Sequence, residues 1–167
     1  MPPITLMFRA ARPAAALALA LPSAHASVCA DPAQLPQLQS LADAIDARWN
    51  ARDAAGLAGF YGPRATLSLE PSAVRLSGRA EVQRYFERSL GGLLPELRHV
   101  TQVQRASELP EGLCLTDSAV FLEREAADGT RSRVAEFRTY TLLRAQGSGW
   151  DVLAVRAVAL GRPAPRS

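Results

Sequence analysis

The feature that most constrains the fold is a change of periodicity near residue 97. Before it, apolar residues recur at helical spacing; after it, the segments 98–108, 112–126, 132–145 and 150–160 alternate as β-strands do. An Asp-Gly pair and a Gly-rich stretch between these segments are hairpin signals. Helices followed by an antiparallel meander predict an α+β fold, with the helices packed on one face of a curved sheet.

Three helices are predicted before this point. The longest spans 36–52, where apolar residues recur every three or four positions, with polar residues on the other side. A short helix over 54–61 follows, with Asp53 as its N-cap. A strand over 65–70 separates it from a third helix, which begins after Gly78.

The hairpin turns indicate which side chains share a face of the sheet. A two-residue first turn places Ser118 opposite Thr139 and Thr116 opposite Thr141, and the second turn places Thr141 opposite Leu153. This face is mostly apolar and is expected to hold the helices. The opposite face is expected to form salt bridges or a dimer contact through charged and aromatic residues: Asp117, Glu136, Arg138, Tyr140, Trp150 and Arg156.

The first 26 residues are typical of a cleaved signal peptide. Two arginines precede a short apolar run, and Ala24-His25-Ala26 is a cleavage site of the A-x-A type. The run is too short for a helix that crosses a bilayer, which needs about 20 apolar residues. The alternatives are an Ala-rich tail or a lipoprotein lipidated at Cys29. We therefore expect a periplasmic or secreted protein with no stable membrane anchor, in which 27–160 forms one domain and 161–167 is a mobile tail.

Charge and motifs exclude several function classes. The formal net charge is +3, and removal of a leader with two arginines and no acidic residue leaves +1. A nearly neutral domain lacks the basic surface that nucleic-acid binding requires. The sequence has no Cys/His cluster with metal-ligand spacing and no phosphate-binding glycine motif, so no metal, cofactor or nucleic-acid partner is expected.

The two cysteines, Cys29 and Cys114, form an even pair. In an oxidising compartment such a pair predicts a disulfide, here between the N-terminal segment and the body of the domain. The alternative is two unpaired thiols, with Cys114 a small buried residue.

Several short motifs resemble the nuclear-transport-factor-2-like superfamily, and most closely its SnoaL-like and SgcJ/EcaC branch. The motifs occur in the order of that fold and cover most of 36–160: Trp49-Asn50-Ala51-Arg52-Asp53, Phe60-Tyr61, Ala65-Thr66-Leu67, Ser77-Gly78-Arg79-Ala80-Glu81-Val82, Arg138-Thr139-Tyr140-Thr141 and Gly149-Trp150-Asp151-Val152. The resemblance implies a cone-shaped domain. Its three N-terminal helices and the concave sheet face would enclose an apolar pocket, and the convex face would be a place where subunits meet.

The resemblance also suggests site residues. Glu70, which precedes a proline, stands at a position similar to the general base of ketosteroid isomerase. The two oxyanion donors of that enzyme fall on Ile45 and Thr141, which argues against steroid-isomerase chemistry because removing one such donor costs roughly 100- to 1000-fold in rate. The expected ligand contacts are aromatic residues and threonines: Trp49, Tyr61, Phe86, Thr139 and Thr141.

The first functional interpretation is an exported, homodimeric protein that binds a small apolar molecule. The alternatives are a lyase, cyclase or isomerase that uses Glu70 as its base, and an interaction module whose pocket is filled by its own side chains. His99 is a weaker candidate for a base, since it has no Ser or Cys nucleophile context and histidines are often hydrogen-bonded on sheets. Pocket volume separates the interaction module from the other two interpretations.

Overall fold

The computed structural model describes Cys29, residues 34–147 and residues 149–161. Three helices come first and most of the strands follow, so the predicted α+β fold, with helices against a curved sheet, is confirmed. The elements are α1 (Leu35–Asn50), α2 (Ala54–Gly59), β1 (Tyr61–Glu70), β2 (Val74–Ser77), α3 (Arg79–Gly91), β3 (Leu97–Leu109), β4 (Leu113–Glu125), β5 (Arg131–Gln146) and β6 (Gly149–Ala159). The predicted leader and most of the predicted tail lie outside the described residues.

The six strands form one open sheet in the order β2-β1-β6-β5-β4-β3. The meander β3 to β6 is antiparallel throughout, as the hairpin signals indicated. The pairing of β1 with β6 is parallel, so the sheet is mixed where an antiparallel one was expected. Turn residues determine pairing between strands that follow each other, whereas β1 and β6 are far apart in the chain.

The centre of the β4–β5 hairpin has the predicted pairs, because a β-bulge offsets a loop that is longer than predicted. Ser118 lies opposite Thr139, but near the turn Glu125 pairs with Arg131 and the Ala126 N–H donates to the Thr130 carbonyl oxygen at 2.8 Å, so the loop is longer than two residues. A β-bulge beside Leu122 restores the register. A bulge adds one residue to one strand. It therefore offsets the longer loop, and the central pairs are the predicted ones.

The β5–β6 hairpin differs by one residue from the expectation. Trp150 pairs with Ala145, and a bulge farther along places Val155 opposite Thr141, where Leu153 was expected. Leu153 is the extra residue of this bulge and does not line the cavity, although it was expected on the concave face; Val155, also expected there, does line it.

The start of β1 was expected to be the end of a helix. Asp53 caps α2 as predicted, since its carboxylate accepts a hydrogen bond from the Gly56 N–H at 2.8 Å. The helix ends at Gly59, and Tyr61 already belongs to the strand. Gly78 makes the turn into α3 with φ of +86°, a conformation that glycine adopts without strain.

The predicted disulfide between Cys29 and Cys114 is present. Their Cα atoms are 6.0 Å apart, and both residues belong to the buried core together with Leu38, Tyr61 and Val152. The bond joins the segment before α1 to the start of β4. No described helix is long and apolar enough to cross a membrane.

Candidate functional site

A cavity of about 320 Å³ lies between the helices and the concave face of the sheet. Residues from α1, α2 and α3 and from every strand except β2 line it. The lining is mostly aliphatic and aromatic, because the inward-facing positions of the alternating strands and the apolar sides of the helices meet there. Such a lining favours ligands with little polar surface.

All five residues predicted as ligand contacts line this cavity: Trp49, Tyr61, Phe86, Thr139 and Thr141. Trp49 comes from the end of α1, Tyr61 from the start of β1 and Phe86 from α3. The rings of Tyr61 and Phe86 are 6.2 Å apart between centroids, in a tilted arrangement that aromatic pairs favour. Their role as ligand contacts stays a prediction.

Four hydroxyl side chains form a patch on the floor of the cavity, where β4 and β5 pair: Thr116, Ser118, Thr139 and Thr141. Ser118 is only 3% exposed, and its hydroxyl makes no hydrogen bond to any described residue. The Thr116 and Thr139 hydroxyls each have a carbonyl oxygen at 3.5 Å, which is a long hydrogen bond. The patch can therefore donate to a polar atom of a bound molecule.

The Tyr61 hydroxyl is a second polar group in the same cavity. Burial raises the pKa of Tyr61 well above its ordinary value, so the phenol stays protonated at any physiological pH. Among the residues that the structure describes, none forms a hydrogen bond with this hydroxyl. Tyr61 is 6% exposed, so the phenol offers a buried hydrogen bond to a ligand.

The most organised polar group beside the cavity is a pair of residues, His99 on β3, which lines it, and Asp46 on α1, which lies behind His99. Asp46 is 8% exposed, and one of its carboxylate oxygens lies 2.7 Å from His99 Nδ1. The carboxylate also accepts hydrogen bonds from the Thr101 backbone N–H at 2.6 Å and the Thr101 hydroxyl at 2.8 Å. His99 lines the cavity, and its ring lies 4.9 Å from the Trp49 ring.

Asp46 belongs to a polar stripe of α1 that pairs with the backbone of β3, an edge strand. The Asn50 amide exchanges hydrogen bonds with the N–H and C=O of His99, at 2.7 and 3.0 Å. The Gln39 amide contacts Thr101 O at 2.8 Å and the Val103 N–H at 2.9 Å. The side chains of α1 thus form hydrogen bonds with backbone N–H and C=O groups of β3, which stay unpaired when an edge strand is not covered.

Sequence reasoning missed the role of this stripe. It placed Gln39, Asp46 and Asn50 on the polar side of the helix, and it considered His99 without a partner. The spacing of seven and four residues along one helix face was the available signal. That signal does not reveal which strand the stripe faces, since α1 and β3 are far apart in the sequence.

Glu70, the residue suggested as a base, lies at the end of β1 beside the first turn of the sheet. Its carboxylate pairs with the Arg75 guanidinium on β2, and Glu70 does not belong to the cavity lining. Its assignment as a base stays a prediction.

Two of the charged residues predicted on the other face, Asp117 and Arg138, form an ion pair, which Arg105 joins. Asp117 on β4 accepts two hydrogen bonds from Arg138 at 2.5 Å each, and Arg105 lies 3.3 Å away. Hydrogen bonding to Arg138 holds the pKa of Asp117 below its usual value. Tyr140 on this face is 42% exposed. The prediction that Trp150 lies on the same face is wrong: Ala145–Trp150 and Leu143–Val152 pair without a bulge between them, so Trp150 lies on the side of the sheet that carries Val152, and it packs against the core.

Within the described residues, no group of three or more His, Cys, Asp or Glu side chains could hold a metal ion. The polar groups of the cavity are instead suited to hydrogen bonding: a histidine held by a carboxylate, a phenol and a patch of hydroxyls.

Solved structures show the same architecture at low sequence identity. A ketosteroid isomerase-like protein from Erwinia carotovora matches with a TM-score of 0.60 and 15% identity, over 78% of this chain and 99% of that one. A protein with a cystatin-like fold, described as similar to nuclear transport factor 2, from Novosphingobium aromaticivorans matches with a TM-score of 0.61 and 13% identity, over 77% and 83%. A domain of unknown function with a cystatin-like fold from Nostoc punctiforme has a TM-score of 0.63 and 13% identity, over 77% and 78%.

Neither a family model nor a curated protein matches the sequence. The structural likeness shows the fold: the chain has the cystatin-like fold of nuclear-transport-factor-2-like proteins, and the resemblance seen in its motifs is confirmed at that level. One fold can host many functions, and the residues of the site decide among them.

Proposed function

We propose that this protein binds a small, mainly apolar molecule in the cavity between its helices and its sheet. The observation that carries the proposal is the cavity itself, whose volume of about 320 Å³ is at the lower end of that of small-molecule sites. An interaction module with a filled interior would instead place side chains in this space. The volume suits a molecule of two or three fused rings better than a long lipid.

The aromatic residues supply the contact area and the hydroxyls supply the polar contacts. Trp49 is positioned by the His99 ring and by the Arg52 guanidinium, whose central carbon lies 4.8 Å from the Trp49 ring centroid. A flat ligand would pack against Trp49, Tyr61 and Phe86, while its polar atoms reach the hydroxyls. Binding of this kind needs no contribution from Glu70.

Naphthalene is a suitable first probe because it is flat and has no polar atom. We expect measurable binding to the wild-type protein by calorimetry, and affinity roughly tenfold weaker in Trp49→Ala because packed aromatic area is lost. Trp150→Ala is the matched control: it removes the second tryptophan, which lies outside the cavity lining. Equal affinity in both variants, or no binding to the wild type, contradicts the proposal.

We further propose that the mature protein is exported and works in the periplasm or outside the cell. A buried disulfide supports this, because such bonds persist in oxidising compartments. N-terminal sequencing of the exported protein is expected to begin at Ser27. A mature protein that still begins at Met1 would contradict export.

The convex face is the proposed interface of a homodimer. Tyr140 is an exposed aromatic residue in the centre of that face, between Asp117 on β4 and Arg156 on β6. Aromatic residues among charged ones are typical of interface cores with polar rims. Light scattering of the mature protein is expected to give twice the chain mass, and a monomer would contradict the proposal.

A further inference from the structure

The hydrogen-bond pattern around His99 determines which of its ring nitrogens carries a proton. An ionised carboxylate only accepts hydrogen bonds, so the close contact of Asp46 with Nδ1 requires a proton on Nδ1. In the neutral imidazole, Nε2 then carries a lone pair and can only accept. Among the described residues, none forms a hydrogen bond with Nε2.

Contacts with Asn50, Asp46 and Trp49 fix the position of His99. Asn50 pairs with both backbone polar groups of His99, and Asp46 holds the ring from the helix side. Trp49 packs against the ring. The His99 side chain is 20% exposed and belongs to the cavity lining. His99 Nε2 is therefore a pre-positioned acceptor that, unlike the hydroxyls of the cavity, cannot donate while the imidazole is neutral.

We propose that this acceptor recognises a hydroxyl group, so that the ligand is a flat apolar molecule with a phenol or enol O–H directed at His99 Nε2. The inference rests on the proposed function, since it names the class of ligand for the same cavity. The ligand hydroxyl donates to Nε2, and Asp46 acts as a positioning residue that maintains the acceptor. The hydroxyl patch is a separate contact, because Ser118 lies opposite Val103, four residues or about 13 Å along β3 from His99.

Three related probes separate shape from hydrogen bonding: naphthalene, 2-naphthol, which can donate, and 2-acetylnaphthalene, which can only accept. We expect the wild-type protein to bind 2-naphthol about threefold to tenfold more tightly than naphthalene, the range that one net hydrogen bond supplies. The 2-acetylnaphthalene is expected to gain nothing at His99. Calorimetry on the mature protein measures all three affinities under one set of conditions.

Two variants of His99 test the acceptor itself. His99→Phe keeps a ring beside Trp49 and is expected to lose the preference for 2-naphthol. His99→Gln places an amide oxygen near the position of Nε2 and is expected to retain part of it. Ser118→Ala tests the hydroxyl patch as the competing contact. Trp150→Ala is the control that should leave the preference unchanged, since Trp150 lies outside the cavity lining.

Asp46→Asn tests the positioning role with a readout that loss of stability alone would not produce. The asparagine oxygen can still accept from the Thr101 N–H, and its amide N–H can donate to His99 Nδ1. The imidazole proton then moves to Nε2, which becomes a donor. The variant should therefore lose much of its preference for 2-naphthol and gain affinity for 2-acetylnaphthalene.

Equal binding of 2-naphthol and naphthalene by the wild type overturns this inference but leaves the proposed function standing. Binding of neither probe contradicts the proposed function and this inference together. A preference that survives His99→Phe, or that is lost in Ser118→Ala instead, also overturns it. If Asp46→Asn fails to fold, the comparison of His99→Phe with His99→Gln decides the question; if it folds, unchanged preferences refute the role of Asp46.

Discussion

The length of the loop that the disulfide closes predicts how much the free energy of unfolding falls when the disulfide is removed. Cys29 and Cys114 are 85 residues apart in sequence, and closing a loop of this length in the unfolded chain contributes about 4.6 kcal/mol on the chain-entropy model. Both cysteines are at most 1% exposed. Replacing each by alanine therefore also loses about 1 kcal/mol of packing per sulfur.

Urea unfolding separates these two contributions. Reduced wild-type protein is expected to lose about 4 to 5 kcal/mol of unfolding free energy, and the double variant Cys29→Ala/Cys114→Ala about 5 to 7 kcal/mol. Each protein needs its own denaturant slope, because an unfolded chain without the cross-link exposes more surface. A loss below about 1 kcal/mol in both would refute the reasoning that the bond acts by closing a long loop.

Three further predictions concern the charged and exposed residues. Glu70→Gln should change naphthalene affinity by less than about 1 kcal/mol, since Glu70 pairs with Arg75 away from the cavity lining; a ligand whose conversion collapses in this variant would support the enzyme alternative. The lowered pKa of Asp117 means that its contribution to stability is present at neutral pH and is lost as the pH falls below about 4. The stability difference between wild type and Asp117→Asn should accordingly shrink in acid, and a difference that is constant with pH would refute this. Tyr140→Asp should shift the mass in light scattering towards the monomer, and an unchanged dimer would exclude this residue from the interface.

The parts of the fold that local sequence determines could be predicted. Asp53 caps α2 because the cap is three residues from its partner. Ser118 faces Thr139 as predicted, but only because the bulge beside Leu122 offsets a loop longer than the predicted one. The bulge at Leu153 that takes this residue out of the cavity lining could not be predicted, since bulges depend on packing across the whole sheet. The parallel pairing of β1 with β6 is likewise a long-range choice.

Some residues of the candidate site could likewise be predicted from the sequence, and others could not. The aromatic and hydroxyl residues of the cavity followed from the fold and the strand alternation, so Trp49 and Thr139 could be named as cavity residues. The pair of Asp46 with His99 joins two residues that are 53 positions apart in the sequence. Each residue alone fitted an ordinary role, on a polar helix side or on a strand, and only the geometry shows that they act on each other.

Methyl NMR during a naphthalene titration tests ligand binding in the cavity most directly. The methyl groups of Val120, Leu143 and Val155 line the cavity, whereas those of Val100 and Val158 lie outside the lining and serve as internal controls. We expect saturable shifts of the first three signals and none of the other two. Unchanged cavity signals at saturating probe, or shifts confined to Val100 and Val158, would contradict a ligand site between the helices and the sheet.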